Sequence, residues 1–152
     1  MRRSPSFLRP RRAVMAVVSL ALAGMAPAGA GEEGLAIQMA RMQTYLHKLD
    51  LSVQAGNGKL THFYMHELEE TAEGIAESVG EYDGAPVGNM VKTLLIPAIE
   101  AAEASLEANP ADREAVAGII TVCNECHVST QHGEMRIVPA TSNPFNQDFQ
   151  PR

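Results

Sequence analysis

Five consecutive residues, Cys123-Asn124-Glu125-Cys126-His127, carry the clearest chemistry in this chain, and they hold its only two cysteines. The pattern C-x-x-C-H is the attachment signature of c-type haem. Two thiols add to the two vinyl groups of the porphyrin as thioethers, and the following histidine offers an imidazole to the iron. The spacing has a physical reason, because positions i, i+3 and i+4 of a helix share one face. Three other readings of a paired cysteine were weighed. A thioredoxin-like redox pair sits beside a βαβ pattern, which is absent here. A structural zinc takes four ligands, usually from two Cys/His pairs, and only one pair exists. A disulfide across two residues closes a very small loop and stabilises little.

The start of the chain reads as an export signal. Residues 1–12 hold five arginines and no acid, an apolar run extends from Ala13 to about Met25, and Ala28-Gly29-Ala30 forms an A-x-A cleavage site. That run is shorter than the ~20 residues a membrane span needs. Residues 1–30 are therefore expected to be a cleaved secretory signal peptide, with the mature chain in the periplasm and without a membrane span. With the five leader arginines removed, 7 basic residues remain against 18 acidic ones, a net charge of −11. An acidic surface argues against nucleic acid and anionic lipid as partners and suits a basic docking protein.

The remaining residues must position the motif, and their periodicity is helical. Leu35, Met39, Met42, Leu46, Leu49 and Val53 repeat at alternating spacings of 4 and 3 until the turn signal Ala55-Gly56-Asn57-Gly58. A second stripe runs through Leu60, Phe63, Tyr64, Leu68, Thr71, Ile75 and Val79. A third uses Val91, Leu94, Leu95, Ala98, Ala102 and Leu106, with a kink expected at Pro97. Asn109-Pro110 is expected to cap a fourth helix that presents Val116, Ile119, Ile120, Cys123, Cys126 and His127 on one face. No β-hairpin signal appears. The predicted fold is all-α: an antiparallel up-down-up-down four-helix bundle over 31–129, followed by an irregular tail, 130–152, that wraps the body through Ile137, Val138, Phe145 and Phe149.

A haem motif near the end of the fourth helix of such a bundle resembles the cytochrome c prime superfamily, over about residues 34 to 130. The resemblance implies a periplasmic monohaem protein, not an enzyme. It would carry one electron between periplasmic redox partners or bind nitric oxide or carbon monoxide at a five-coordinate iron. Many members are antiparallel homodimers. The chain departs from the family after the haem histidine. Val128, Ser129, Thr130 and Gln131 stand where a basic residue is usual, then comes His132, and the tail is longer.

In the predicted bundle the end of helix 4 lies beside the beginning of helix 1, which brings Met39, Met42 and Leu46 towards His127. The resemblance implies that the residue facing the iron comes from helix 1, an apolar side chain in gas-binding members and a methionine in low-spin ones. Met42 is the first candidate for a sixth ligand and Met39 the second; either is by default a flexible core filler. Arg41 and Gln43 flank the expected pocket and are candidates for haem propionate contacts. His62 and His66, with Glu69, Glu70 and Glu73, share a helix face that reads as solvated rather than metal-binding. His47 points away from the stripe of its helix, and His132 would reach the iron only by folding back.

Overall fold

The computed structural model describes residues 30–152, with side chains from residue 34 onward. The export signal expected over 1–30 lies outside the described residues except for its last one. The described chain is all-helical, with an isolated bridge between Tyr82 and Ala85 as its only β-type pairing. Helix α1 is Ala30–Gln54 and α2 is Gly58–Ser78. Helix α3 covers residues 87–108 without interruption, and α4 is Arg113–Ser129. α1 packs on α2 and α4, and α3 packs on α2 and α4. No described helix is long and apolar enough to cross a membrane.

The α1 stripe is buried along Leu35, Met42, Leu46, Leu49 and Val53, with Met39 partly covered. α2 begins at Asn57, whose side chain accepts from the Leu60 amide. Its inner face differs from the expected one. Phe63 is 49 % exposed, while Met65 and Ala72 are fully buried beside Tyr64, Leu68 and Ile75. Adjacent apolar pairs at 63–65 left the direction of the face open. Contact with α1 and α3 selects the side on which Ala72 permits close approach.

α3 contains the largest departure from regular geometry. Between Val87–Met90 and Ile96–Ala108 the segment Val91–Leu95 is a π-helical turn, in which the Ile96 N–H donates to the Val91 carbonyl five residues back. The turn lies just ahead of Pro97, whose ring is incompatible with a regular bond to the carbonyl four residues earlier. The expected kink thus takes the form of a widened turn. It also explains the buried face. Val87, Val91, Leu95 and Ile99 are all buried at successive spacings of four. In an unbroken α-helix those twelve residues would overrun three turns by about 120°. Leu94, expected inside, is 49 % exposed, and Ile99 takes its place at 0 %.

Two local features set the connections. Gly88 must be glycine, because a Cβ there would lie 1.9 Å from the Val79 carbonyl oxygen. The cap of α4 is Asp112 rather than Asn109. Asp112 accepts from the Glu114 amide and from the Ser105 hydroxyl, while Asn109 ends α3 and accepts from the Ala111 amide. The Ser105 bond, followed by the backbone amides of Glu114 and Ala115, holds the Asp112 carboxyl below its ordinary value.

After Ser129 the chain forms no helix or strand, yet it is tied to α1 and α2 by specific bonds. Asp50, almost fully buried, accepts from the Ala140 amide at 2.6 Å and from Gln54 Nε2 at 2.9 Å. His47, half-buried off the α1 stripe, donates through Nε2 to the Ser142 carbonyl. Tyr64 donates to Gln147, and Asn57 donates to the carbonyls of Phe149 and Gln150. Phe149 is buried and Phe145 partly so, whereas Val138 is exposed.

Candidate functional site

The last two turns of α4 carry the cysteine pair and the histidine, and all three side chains border one cavity of about 610 Å³. That volume lies within the ~300–1,000 Å³ range of sites for organic ligands. α1 supplies Leu35, Met39, Met42, Gln43 and Leu46 to its wall, and α3 supplies Val87, Met90, Val91 and Leu95. The widened turn of α3 is therefore part of the wall, a common setting for π-helical turns. The segment after α4 closes the remaining side with His132, Glu134, Met135, Arg136 and Ile137.

Both thiols are free. Burial pushes the Cys123 thiol up to about 12, with the neighbouring Cys126 adding to the effect. Cys126 is raised by burial and then by Glu125. At neutral pH both are protonated in the folded chain. Reactive redox cysteines have depressed values, so this environment does not suit a thioredoxin-like pair. Among the described residues no group of three or more Cys, His, Asp and Glu side chains is arranged to hold a metal ion. His66, on the exposed face of α2, lies 3.4 Å from Glu70.

His127 is held in a defined tautomer. Its Nδ1 lies 2.6 Å from the Met135 carbonyl oxygen. A carbonyl only accepts, so Nδ1 carries a proton and Nε2 is the nitrogen left to act as a ligand. Histidines that ligate metals characteristically donate their other ring nitrogen in this way. The chain reaches that position by reversing at the end of α4. Thr130 caps the helix through its hydroxyl, which donates to the Cys126 carbonyl at 2.9 Å, and Gln131 adopts the left-handed conformation at φ +64°. The His132 amide then donates to the His127 carbonyl at 2.7 Å.

The structure brings Cys123, Cys126, His127, Met39, Met42 and Gln43 to the same cavity. It does not bring Arg41, which is exposed and absent from the wall. The cation at the wall is Arg136, from the tail. His132 also borders the cavity, its ring 6.2 Å from that of Tyr82, because the chain does fold back. Met90 is a further bordering methionine. The signal for Met90 was present, since it precedes the third stripe. Arg136 and His132 sit in a segment without periodicity, where spacing carries no information.

The residues present fit a covalently bound haem. The cavity is large and mostly apolar, the two thiols are not joined to each other, the Nδ1 of His127 is engaged so that its Nε2 is the nitrogen left for a ligand, and methionine side chains border the same space. Comparison with family models, curated proteins and solved structures finds no match to this chain.

Proposed function

We propose that this chain is a periplasmic monohaem c-type cytochrome of the cytochrome c prime type, which carries single electrons between periplasmic redox partners. The observation that carries the reading is the convergence of Cys123, Cys126 and His127, with Nδ1 of His127 already engaged, on one apolar cavity that Met42 also borders. A haem bound there supplies a one-electron ferric/ferrous couple. Cys123 and Cys126 would hold it as thioethers, and His127 would offer Nε2 to the iron. Met42 would offer a thioether as the second donor to the iron, with Met39 as second choice. A methionine and histidine pair of donors would raise the reduction potential and would leave no open position for small gases. Gln43 and Arg136, at the cavity wall, suit the propionates.

The same reading takes α1 to α4 as an up-down-up-down antiparallel bundle, one domain over 31–129, with 130–152 packed on it. The pairing of each helix with two neighbours and the tail bonds to α1 and α2 support it. The arginine-rich start, apolar run and A-x-A site support export before haem is attached. High thiol values in the folded chain agree with attachment to the unfolded one, since the thiolate is the better nucleophile.

The test is intact mass after export in a host with cytochrome maturation machinery. The mass of one haem should persist under denaturing conditions, and Cys123→Ala or Cys126→Ala should lose at least one thioether. The bare mass of the chain from such a host would refute the proposal. If haem is present and the reduced protein binds carbon monoxide readily, the five-coordinate gas-binding function replaces electron carriage.

A further inference from the structure

Asn124 is one of the two variable positions inside the cysteine motif, and the motif itself asks nothing of it. In the structure both ends of its side-chain amide are used on one distant residue. Asn124 Nδ2 donates to the Ile137 carbonyl at 3.0 Å, and the Ile137 amide donates to Asn124 Oδ1 at 2.8 Å. The side chain thus imitates a strand partner, satisfying both backbone groups of a residue thirteen positions away. Two residues before Ile137 stands Met135, whose carbonyl accepts from His127 Nδ1 at 2.6 Å. The segment between is short. It is pinned to the helix end by the His132 amide on the His127 carbonyl and turned by the Met135 amide on the His132 carbonyl, 3.0 Å.

We propose that Asn124 is a positioning residue for His127: by bracketing Ile137 it holds the Met135 carbonyl on Nδ1 and thereby sets the orientation and basicity of the ring. This rests on the haem reading above and adds a role to a residue outside the ligand set. Asn124 lies one helical turn before His127, on the neighbouring i, i+3 position, so the bracket and the ring are anchored to the same rigid turn. A hydrogen bond to Nδ1 fixes the tautomer and raises the donor strength of Nε2. A stronger imidazole donor favours ferric over ferrous iron. The residue type is specific. Aspartate accepts from the Ile137 amide but has no N–H for its carbonyl, and leucine or alanine provides neither bond.

The experiment uses exported holoprotein of the wild type, Asn124→Ala, Asn124→Leu and Tyr64→Phe. Intact mass is read first. Covalent haem on the wild type is required by the function proposed above, and its absence would overturn that function and this inference together before any potential is measured. With haem present, the one-electron midpoint potential is the readout. Asn124→Ala should move it upward by about tenfold in the ferric/ferrous equilibrium, equivalent to ~59 mV for one electron. Asn124→Leu, near-isosteric and uncharged, also loses both bonds, should give a shift of the same sign and size, and serves if the alanine variant does not fold. Tyr64→Phe removes the tail bond to Gln147 and loosens the tail far from His127. It should lower the melting temperature without moving the potential. Unchanged potentials in both Asn124 variants would overturn the positioning role, as would an equal shift in Tyr64→Phe.

Discussion

Replacing Met42 separates ligation from packing, because two substitutions at that position differ in which they remove. Met42 is 7 % exposed and borders the cavity from α1. Met42→Leu nearly conserves volume and should cost less than ~1.5 kcal/mol. Met42→Ala deletes the side chain, a change that costs roughly 2–5 kcal/mol in a closed core. The wall it leaves already faces open volume, so little new enclosed void forms and the lower half of that range applies. At about 3–5 °C per kcal/mol for a domain of this size, the expected losses are under ~8 °C for leucine and about 6–18 °C for alanine. Neither retains sulfur. If Met42 ligates iron, both variants should therefore turn from low-spin to high-spin ferric haem and begin to bind carbon monoxide when reduced, although leucine costs less packing than alanine. The assay is an absorption spectrum of each oxidation state with and without carbon monoxide, beside a thermal melt. Met39→Leu and Met90→Leu are the controls and should change neither spectrum. A low-spin spectrum retained in Met42→Leu refutes the assignment. A switch in Met39→Leu instead moves the ligand one turn along α1. A wild type that is already high-spin assigns all three methionines to packing.

Three further outcomes follow from the rest of the chain. Burial, then Glu103, Glu73 and Glu100, with His66 opposing them, raise the Glu69 carboxyl above its ordinary 4.5. The charged form is therefore disfavoured on folding, and Glu69→Gln should raise the melting temperature at pH 7, a gain that disappears as the pH falls below 4.5. Asp112 has the opposite sign. Its lowered value means that its contribution is present above the ordinary carboxylate value of about 4 and is lost as pH falls through the folded one. Asp112→Asn should accordingly melt lower than wild type at neutral pH and converge with it in acid, in parallel thermal scans. Gly88→Ala should destabilise by at least ~1–3 kcal/mol, because the added Cβ meets backbone rather than a movable side chain; a melt within error of wild type would contradict the close approach of Gly88 to Val79.

Read alone, the sequence determines the helical class, the three-residue and four-residue spacing that places Cys123, Cys126 and His127 on one face, and the inward stripe of α1. Those features are local. They follow from a period of 3.6 residues and from side-chain types that no partner needs to supply. The inner face of α2 was ambiguous because apolar residues occupy 63, 64 and 65, and only packing against α1 and α3 excludes Phe63. The α3 register was misread at Leu94 and Ile99 for a different reason. A constant period assumes constant geometry, and the turn ahead of Pro97 breaks it. Least legible was the side of the cavity built after α4. The Met135 carbonyl on His127, the Asn124 bracket on Ile137, Arg136 and His132 all depend on a reversal at Gln131, in a segment whose contacts are distant in sequence and aperiodic. Backbone carbonyls carry no residue-type signal at all, so the partner of the key imidazole could be found only where the chain had folded back upon it.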